Sequence, residues 1–287
     1  MFATNRAISY VKIIRKSVSN WVSVILFLTQ HNKNRYKTID MHFRDSTVVM
    51  ECSYPEILPL VTYFRVSHLM GNYSTEDFDV LRSLYKDITE KLSRNFTPLE
   101  IDSSSTGGWF GVKESLLFTL VRSLKPLVIV ETGVAQGVSS YVILRAIKLN
   151  AKGKLISVDL PNRVPTGYSY SDGTQDPVYV PQSLEPGWLV PSEFRLPWTL
   201  LIGRSSNVLP TLDLSVDLFF HDSEHSYENM MFEFEWALLH LSINGIISSD
   251  DISWNTSYYD FMSRHKELHP IFDKYEFGVW NKKTIKI

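Results

Sequence analysis

The sequence predicts an α/β fold with a mainly parallel sheet, and three observations predict it. Beyond Pro126, short apolar runs at 127–131, 155–159, 199–202, 216–221 and 245–249 alternate with stretches of helical spacing. Such alternation argues for parallel strands with helices on both faces. The first run leads directly into a glycine-bearing turn and then a helix. The polar residues of the later runs, chiefly acidic ones, gather at the C-terminal ends, where open α/β sheets place their ligands.

Composition fits one large core plus an appended region: the chain has 287 residues, 44% of them hydrophobic and 21% charged. A net charge of −2, from 29 basic and 31 acidic residues, provides no overall field for a nucleic-acid backbone, so nucleic acid is not an expected partner. The single cysteine, Cys52, excludes an intramolecular disulfide and a cysteine zinc cluster. It suits a reducing compartment, and a cytoplasmic location is expected. The uncharged stretch 17–30 follows Lys12, Arg15 and Lys16 and superficially resembles an anchor. It carries polar Ser17, Ser19, Asn20 and Ser23 and is shorter than the ~20 apolar residues a bilayer needs, so core or interdomain packing is expected rather than a membrane span.

Residues 1–102 read as an N-terminal α+β extension of unassigned role. Residues 38–52 alternate like a hairpin turning near Arg44, Asp45 and Ser46, and helical spacing returns at 78–92. A Ser/Thr/Gly connector from Ser103 precedes a helix over 112–124, which sets the domain boundary near 103 and the second domain at 103–287. Helices are predicted over 139–149 and 226–241, the latter presenting Tyr227, Met230, Met231, Phe234, Leu238 and Leu241. A closing hairpin is predicted from 275–280 and 284–287, turning at 281–283. The connection 161–197 holds seven of the thirteen prolines along with Tyr168, Tyr170, Tyr179 and Trp188, and Trp198 follows it directly. A loop of that length and stiffness reads as a lid or substrate loop.

The cofactor signal is the run from Val128 to Ser140: a buried strand, then Glu131, Gly133 and Gly137 in a turn, then a helix starting near Ser139. The spacing E-x-G-x-x-x-G lacks the central glycine of the dinucleotide fingerprint, which favours a cofactor without a pyrophosphate. The strand 155–159 ends at Asp159, where a carboxylate can accept hydrogen bonds from both hydroxyls of a ribose. These residues resemble the first motifs of class I methyltransferases. The resemblance implies a Rossmann-like methyltransferase fold, a seven-stranded mainly parallel sheet with a C-terminal antiparallel hairpin, and S-adenosylmethionine as cofactor. It places Glu131, Gly133, Gly137 and Ser139 at the methionine part and Asp159 at the ribose. Arg204 and Ser205 fall near the adenine, where many relatives carry an acidic residue.

The fourth run ends in His221-Asp222-Ser223-Glu224-His225 and the fifth in Asp250-Asp251. Three unpaired carboxylates brought to one crevice would raise one another's pKa, and a divalent cation such as Mg²⁺ relieves that. A bound ion would also acidify an acceptor hydroxyl, and His225 could take the proton near neutral pH. The arrangement is similar to that of cation-dependent catechol-type O-methyltransferases, which implies Asp222, Asp250 and Asp251 as metal ligands, Asp222 also beside the cofactor, and His225 with Asp222 as the catalytic pair. The phrase His-Asp-Ser-x-His-x-Tyr also resembles the family 24 methyltransferases; together the likenesses span about 106–287. Capping of the helix that follows, by Asp222 or Ser226, is the alternative role.

The expected activity is therefore O-methylation of a small hydroxylated acceptor, a sugar or a secondary metabolite. A metal-independent methyltransferase, a nucleotide- or nicotinamide-binding oxidoreductase and a silent cofactor-binding scaffold stay open, as does homo-oligomerisation.

Overall fold

The computed structural model describes residues 75–97, 111–161, 178–274 and 276–282, together with three N-terminal strands. The proposed boundary at 103, the loop residues 162–177 with Tyr168 and Tyr170, and the expected strand 284–287 lie outside the described residues.

The N-terminal strands are β1 (Ser23–Phe27), β2 (Tyr36–His42) and β3 (Thr47–Ser53), paired antiparallel in sequence order. His42 faces Thr47 across the predicted turn. Segment 23–27, expected only as apolar packing, is a strand paired to β2. Among the described residues no helix is long and apolar enough to cross a membrane.

Helix α1 (Thr75–Asn95) carries Phe78, Leu81, Leu84, Ile88 and Leu92 at three- and four-residue spacing, and all five are buried. They join one core with α2 (Val112–Leu124) and α3 (Val138–Asn150). Arg122 Nε donates to the buried Asp77 Oδ1 at 2.8 Å, tying α2 to α1. Helix α1, within the expected N-terminal region, thus shares one buried apolar cluster with α2 and α3.

Strands β4 (Val128–Thr132), β5 (Lys154–Asp159), β6 (Trp198–Ile202), β7 (Val216–His221), β8 (Leu241–Ser249), β9 (His269–Lys274) and β10 (Phe277–Asn281) make a seven-stranded sheet in the order β6-β5-β4-β7-β8-β10-β9. The five strands from β6 to β8 run parallel, and β10 pairs antiparallel with both β8 and β9. The closing hairpin exists, but its turn lies between Lys274 and Phe277 rather than at 281–283. Residues 277–281 are buried throughout, so the asparagine read as a turn signal, Asn281, ends a strand paired on both sides.

Alternation along the strands feeds two apolar layers. Ile129, Leu218 and Ile246 face α1, α2 and α3, whereas Val130, Phe219 and Ile247 face the layer of the short α4 (Ser205–Val208), α5 (Tyr227–His240) and α6 (Ser257–Arg264). Ser226 caps α5, its hydroxyl accepting from Asn229 N, so the capping role belongs to Ser226 and not Asp222.

Candidate active site

Strand order reverses between the parallel neighbours β4 and β7, the chain building outward to β6 on one side and to β8 on the other, and the crevice at that switch point opens into a cavity of about 460 Å³. That volume is in the range of small-molecule sites. The backbone seals its floor: Gly133 N donates to Val158 O, Asp222 N to Thr132 O and Asp250 N to His221 O, each at 2.9 Å.

Gly133 has φ +83°, and a Cβ there would come within 1.9 Å of the Asp222 carbonyl oxygen. The loop after β4 therefore lies directly on the end of β7, which only glycine permits. Gly137, at φ +91°, starts α3 by turning the chain into its first turn.

Gly133, Ser139, Asp159, Arg204, Ser205 and Asp222, all expected at the cofactor, line this cavity. Glu131 and Gly137 do not. Glu131 is fully buried beneath the loop, where it accepts hydrogen bonds from Ser139 Oγ and Ser140 Oγ at 2.6 Å and Ser157 Oγ at 2.7 Å. Burial pushes its carboxyl upward, and the three hydroxyls oppose that shift. Glu131 thus fastens α3 to β4 and β5 from below the cavity, and Gly137 faces Gly187 instead of the cavity.

Asp159 ends β5, is 8% exposed, and accepts from Val134 N at 3.2 Å. With the backbone of residues 133–135, the apolar Val134, Val158 and Val180, and the polar Arg204, Ser205 and Ser206, it forms an elongated wall that is polar at intervals. That donor and acceptor set fits an amino-acid group, a ribose and a flat base in sequence. Of the expected lid, residues 178–180 line the cavity, while Gly187 N and Leu189 N donate to Ala135 O and Gln136 O. Gln136 completes the clasp, donating to Tyr179 O and accepting from Trp188 Nε1.

At the other end, Asp222 and Asp250 meet as expected, but a lysine lies between them. Lys113 Nζ, from the first turn of α2, is 3.0 Å from Asp222 Oδ2 and 2.6 Å from Asp250 Oδ2. Glu114 Oε2 accepts from Gly111 N at 2.6 Å, which fixes that first turn. Burial works against the Lys113 charge, yet Asp222, Asp250 and Glu114 hold its ammonium well above the usual lysine range. Burial and the neighbouring Asp250 carry Asp222 well above the ordinary carboxylate range against the pull of Lys113. Asp250 goes the other way: Lys113 and the hydrogen bond with Asp222 outweigh its burial and lower it. The two carboxyls titrate as a pair.

The expected divalent cation does not fit this arrangement. The inner oxygens of Asp222 and Asp250 already hold an ammonium, and a divalent ion about 4 Å from it would meet roughly 8 kcal/mol of repulsion at an effective dielectric of about 20. Asp251, the third expected ligand, also lines the cavity, but Lys113 does not bridge it: at φ +47° its side chain is 40% exposed and 3.8 Å from His225 Nε2. Burial and Asp250 push its carboxyl up to about 6. Among the described residues no three His, Cys, Asp or Glu side chains are grouped to hold a metal ion.

His225 lines the cavity, with Trp254 tilted across it at 5.6 Å. Burial and the adjacent His221 lower its pKa to about 3, so the ring is neutral near pH 7. His221, expected to be packed, is fully buried, its Nδ1 2.6 Å from Glu233 Oε2. Glu233 also accepts from Thr132 Oγ1 at 2.5 Å and Ser223 Oγ at 2.7 Å. Although burial pushes it up, His221 and these donors keep Glu233 below its usual value.

Lys113, Glu114, Glu233 and Trp254 escaped the sequence reading. For Lys113 one signal existed: a lysine in a first helical turn opposes the helix dipole and so needs a carboxylate partner elsewhere.

A family model described as a methyltransferase domain matches residues 130–252. Among solved structures, the O-methyltransferase NovP superposes with a TM-score of 0.51 at 16% identity, over 71% of this chain and 98% of that one. The O-methyltransferase TomG from Streptomyces achromogenes gives 0.46 at 15% identity, over 80% and 97%. The methyltransferase PaMTH1 from Podospora anserina, bound to S-adenosylhomocysteine, gives 0.47 at 18% identity, over 77% and 94%. No curated protein matches in sequence.

Proposed function

From the premise that residues 130–252 form a methyltransferase domain of the class I, S-adenosylmethionine-dependent kind, we propose that the protein methylates a hydroxyl oxygen of a small-molecule acceptor. One observation carries this reading: the ribose-type carboxylate Asp159 and the buried Lys113–Asp222–Asp250 cluster occupy opposite parts of one cavity.

Gly133, Val134, Ala135 and Ser139 would hold the amino-acid portion of the cofactor, Asp159 its ribose, and Arg204 with Ser205 the base edge. Bound S-adenosylmethionine supplies an electrophilic methyl group on a sulfonium, which passes to the acceptor oxygen and leaves the neutral thioether S-adenosylhomocysteine. The carboxyl pair Asp222–Asp250, which lines the cavity opposite the cofactor wall, receives the hydroxyl proton. His225, neutral and buried, orients the acceptor by hydrogen bonding, and Trp254 walls the entrance. Residues 178–197, clasped to the cofactor loop, exclude water from that end.

Calorimetry with S-adenosylhomocysteine and transfer of a labelled methyl group to a panel of phenols, catechols and sugars test the proposal together. Asp159→Ala is expected to weaken S-adenosylhomocysteine by about 10-fold or more, the loss of a hydrogen-bonded charge at the ribose. Asp222→Asn keeps the cofactor but loses transfer. Binding of NAD(H) in place of S-adenosylhomocysteine would overturn the assignment.

A further inference from the structure

We propose that the Lys113 ammonium is a built-in substitute for a divalent cation at the methyl-transfer centre, and that removing it turns this protein into a cation-binding one. Two aspartates at the tips of the adjacent parallel strands β7 and β8 are pinned by their own backbones, Asp222 to Thr132 and Asp250 to His221. Their facing oxygens converge on one point, and Lys113 Nζ occupies it at 3.0 and 2.6 Å. The lysine comes from a different layer of the molecule, α2, whose first turn is locked by Glu114 on Gly111 N.

The position has a reason beyond charge balance. A lysine at the second residue of a helix sits in the unfavourable end of the helix dipole, and this one is also buried, with 14% of its side chain exposed. Among the described residues, the two aspartates and Glu114 Oε1 at 3.9 Å offset both costs. All four side chains line the cavity, so the ammonium faces the place where the acceptor oxygen must come. There it provides fixed positive charge beside an oxygen that becomes negative as its proton passes to the Asp222–Asp250 pair. The oxygen's electron pair then forms the new C–O bond while the C–S bond breaks toward sulfur. Charge placed in advance at a developing oxyanion is what a Lewis-acidic ion would otherwise contribute.

The inference rests on the methyltransferase reading for turnover, but its metal-binding arm stands alone. Mn²⁺ is titrated into the full chain and followed by electron paramagnetic resonance, with S-adenosylhomocysteine affinity measured in parallel. Wild type is expected to bind no Mn²⁺ saturably and to keep its methyl transfer after exhaustive EDTA. Lys113→Met is expected to lose about 100-fold or more in transfer, to take up one Mn²⁺ per chain, to lose that ion when Asp250→Asn is added, and to regain part of its turnover with the ion bound. Wild-type binding of Mn²⁺ that Asp250→Asn abolishes, or wild-type turnover stopped by EDTA, overturns the proposal. So does a Lys113→Met chain that binds S-adenosylhomocysteine normally yet takes up no Mn²⁺. Should Lys113→Met fail to fold, Lys113→Gln takes its place, and the wild-type arm decides independently. A wild type that binds no S-adenosylhomocysteine refutes the methyltransferase reading alone, leaving the Mn²⁺ outcomes to judge the lysine.

Discussion

Replacing Glu131 separates a residue that supports the cofactor loop from one that touches the cofactor. Its two oxygens accept three serine hydroxyls at 2.6, 2.6 and 2.7 Å, with no exposure to solvent. Hydrogen bonds to a charged group contribute about 1.5–3 kcal/mol each against about 0.5–1.5 for neutral pairs. Glu131→Gln therefore weakens three bonds by about 1 kcal/mol apiece, partly offset because a buried charge is removed, for a net loss of about 2 kcal/mol. Glu131→Ala leaves three buried hydroxyls without their acceptor and is expected to lose about 4 kcal/mol. At about 2–4 °C per kcal/mol for a domain of this size, the melting temperature falls by about 4–8 °C and 8–16 °C respectively. Because Glu131 is off the cavity wall, S-adenosylhomocysteine affinity in Glu131→Gln changes by less than about 3-fold, whereas a lost charge-assisted contact would cost about 10-fold or more. Scanning calorimetry and titration calorimetry on the same preparation give both numbers. An unchanged melting temperature with binding weakened about 10-fold would refute the supporting role and restore Glu131 to the cofactor.

Two other outcomes follow from the same geometry. Gly133→Ala forces a Cβ to 1.9 Å from the Asp222 carbonyl oxygen at φ +83°, combining backbone strain with overpacking, and should destabilise by about 3–5 kcal/mol; a melting temperature within a degree or two of wild type would contradict the close approach of β4 and β7. His225, lowered from 6.5 to about 3 by burial and by His221, takes up protons more readily unfolded than folded between those values. Its contribution is full above about pH 6.5 and is lost as pH falls toward 3, by about 1.4 kcal/mol per pH unit. Asp251, raised to about 6, contributes in the opposite sense, its share being present at low pH and lost as pH rises through 6. The comparison is therefore of denaturant stability against pH for wild type and His225→Gln. Identical slopes between pH 4 and 6 would show that His225 is not held neutral by burial.

Much of the fold was legible because its causes are local. The apolar runs at 127–131, 155–159 and 216–221 became β4, β5 and β7 within a residue or so, since a strand buried on both faces has no other composition available. The hairpin end was misread because Asn281 and the lysines after it resemble a turn, while burial of 277–281 between β8 and β9 is a long-range fact. Helix α6 went unseen for a similar reason: Ser257–Arg264 is short, and Tyr258 and Phe261 pack on Trp280 and Phe234, which come from other elements.

The glycine loop, Asp159 and the acidic tips of β7 and β8 were determined by the sequence itself, because strand ends in a parallel sheet all open onto one crevice and the residue type at each tip can be read directly. Tertiary structure alone decided what those groups face. Glu131 and Asp222 are both acidic residues at the ends of neighbouring strands, yet Glu131 points down into three serine hydroxyls and Asp222 outward into the cavity. Lys113 lies 109 residues from Asp222 and 137 from Asp250 along the chain. No local pattern joins them; only the packing of α2 against the sheet brings the ammonium between the carboxylates, and with it the choice between a bound cation and an internal one.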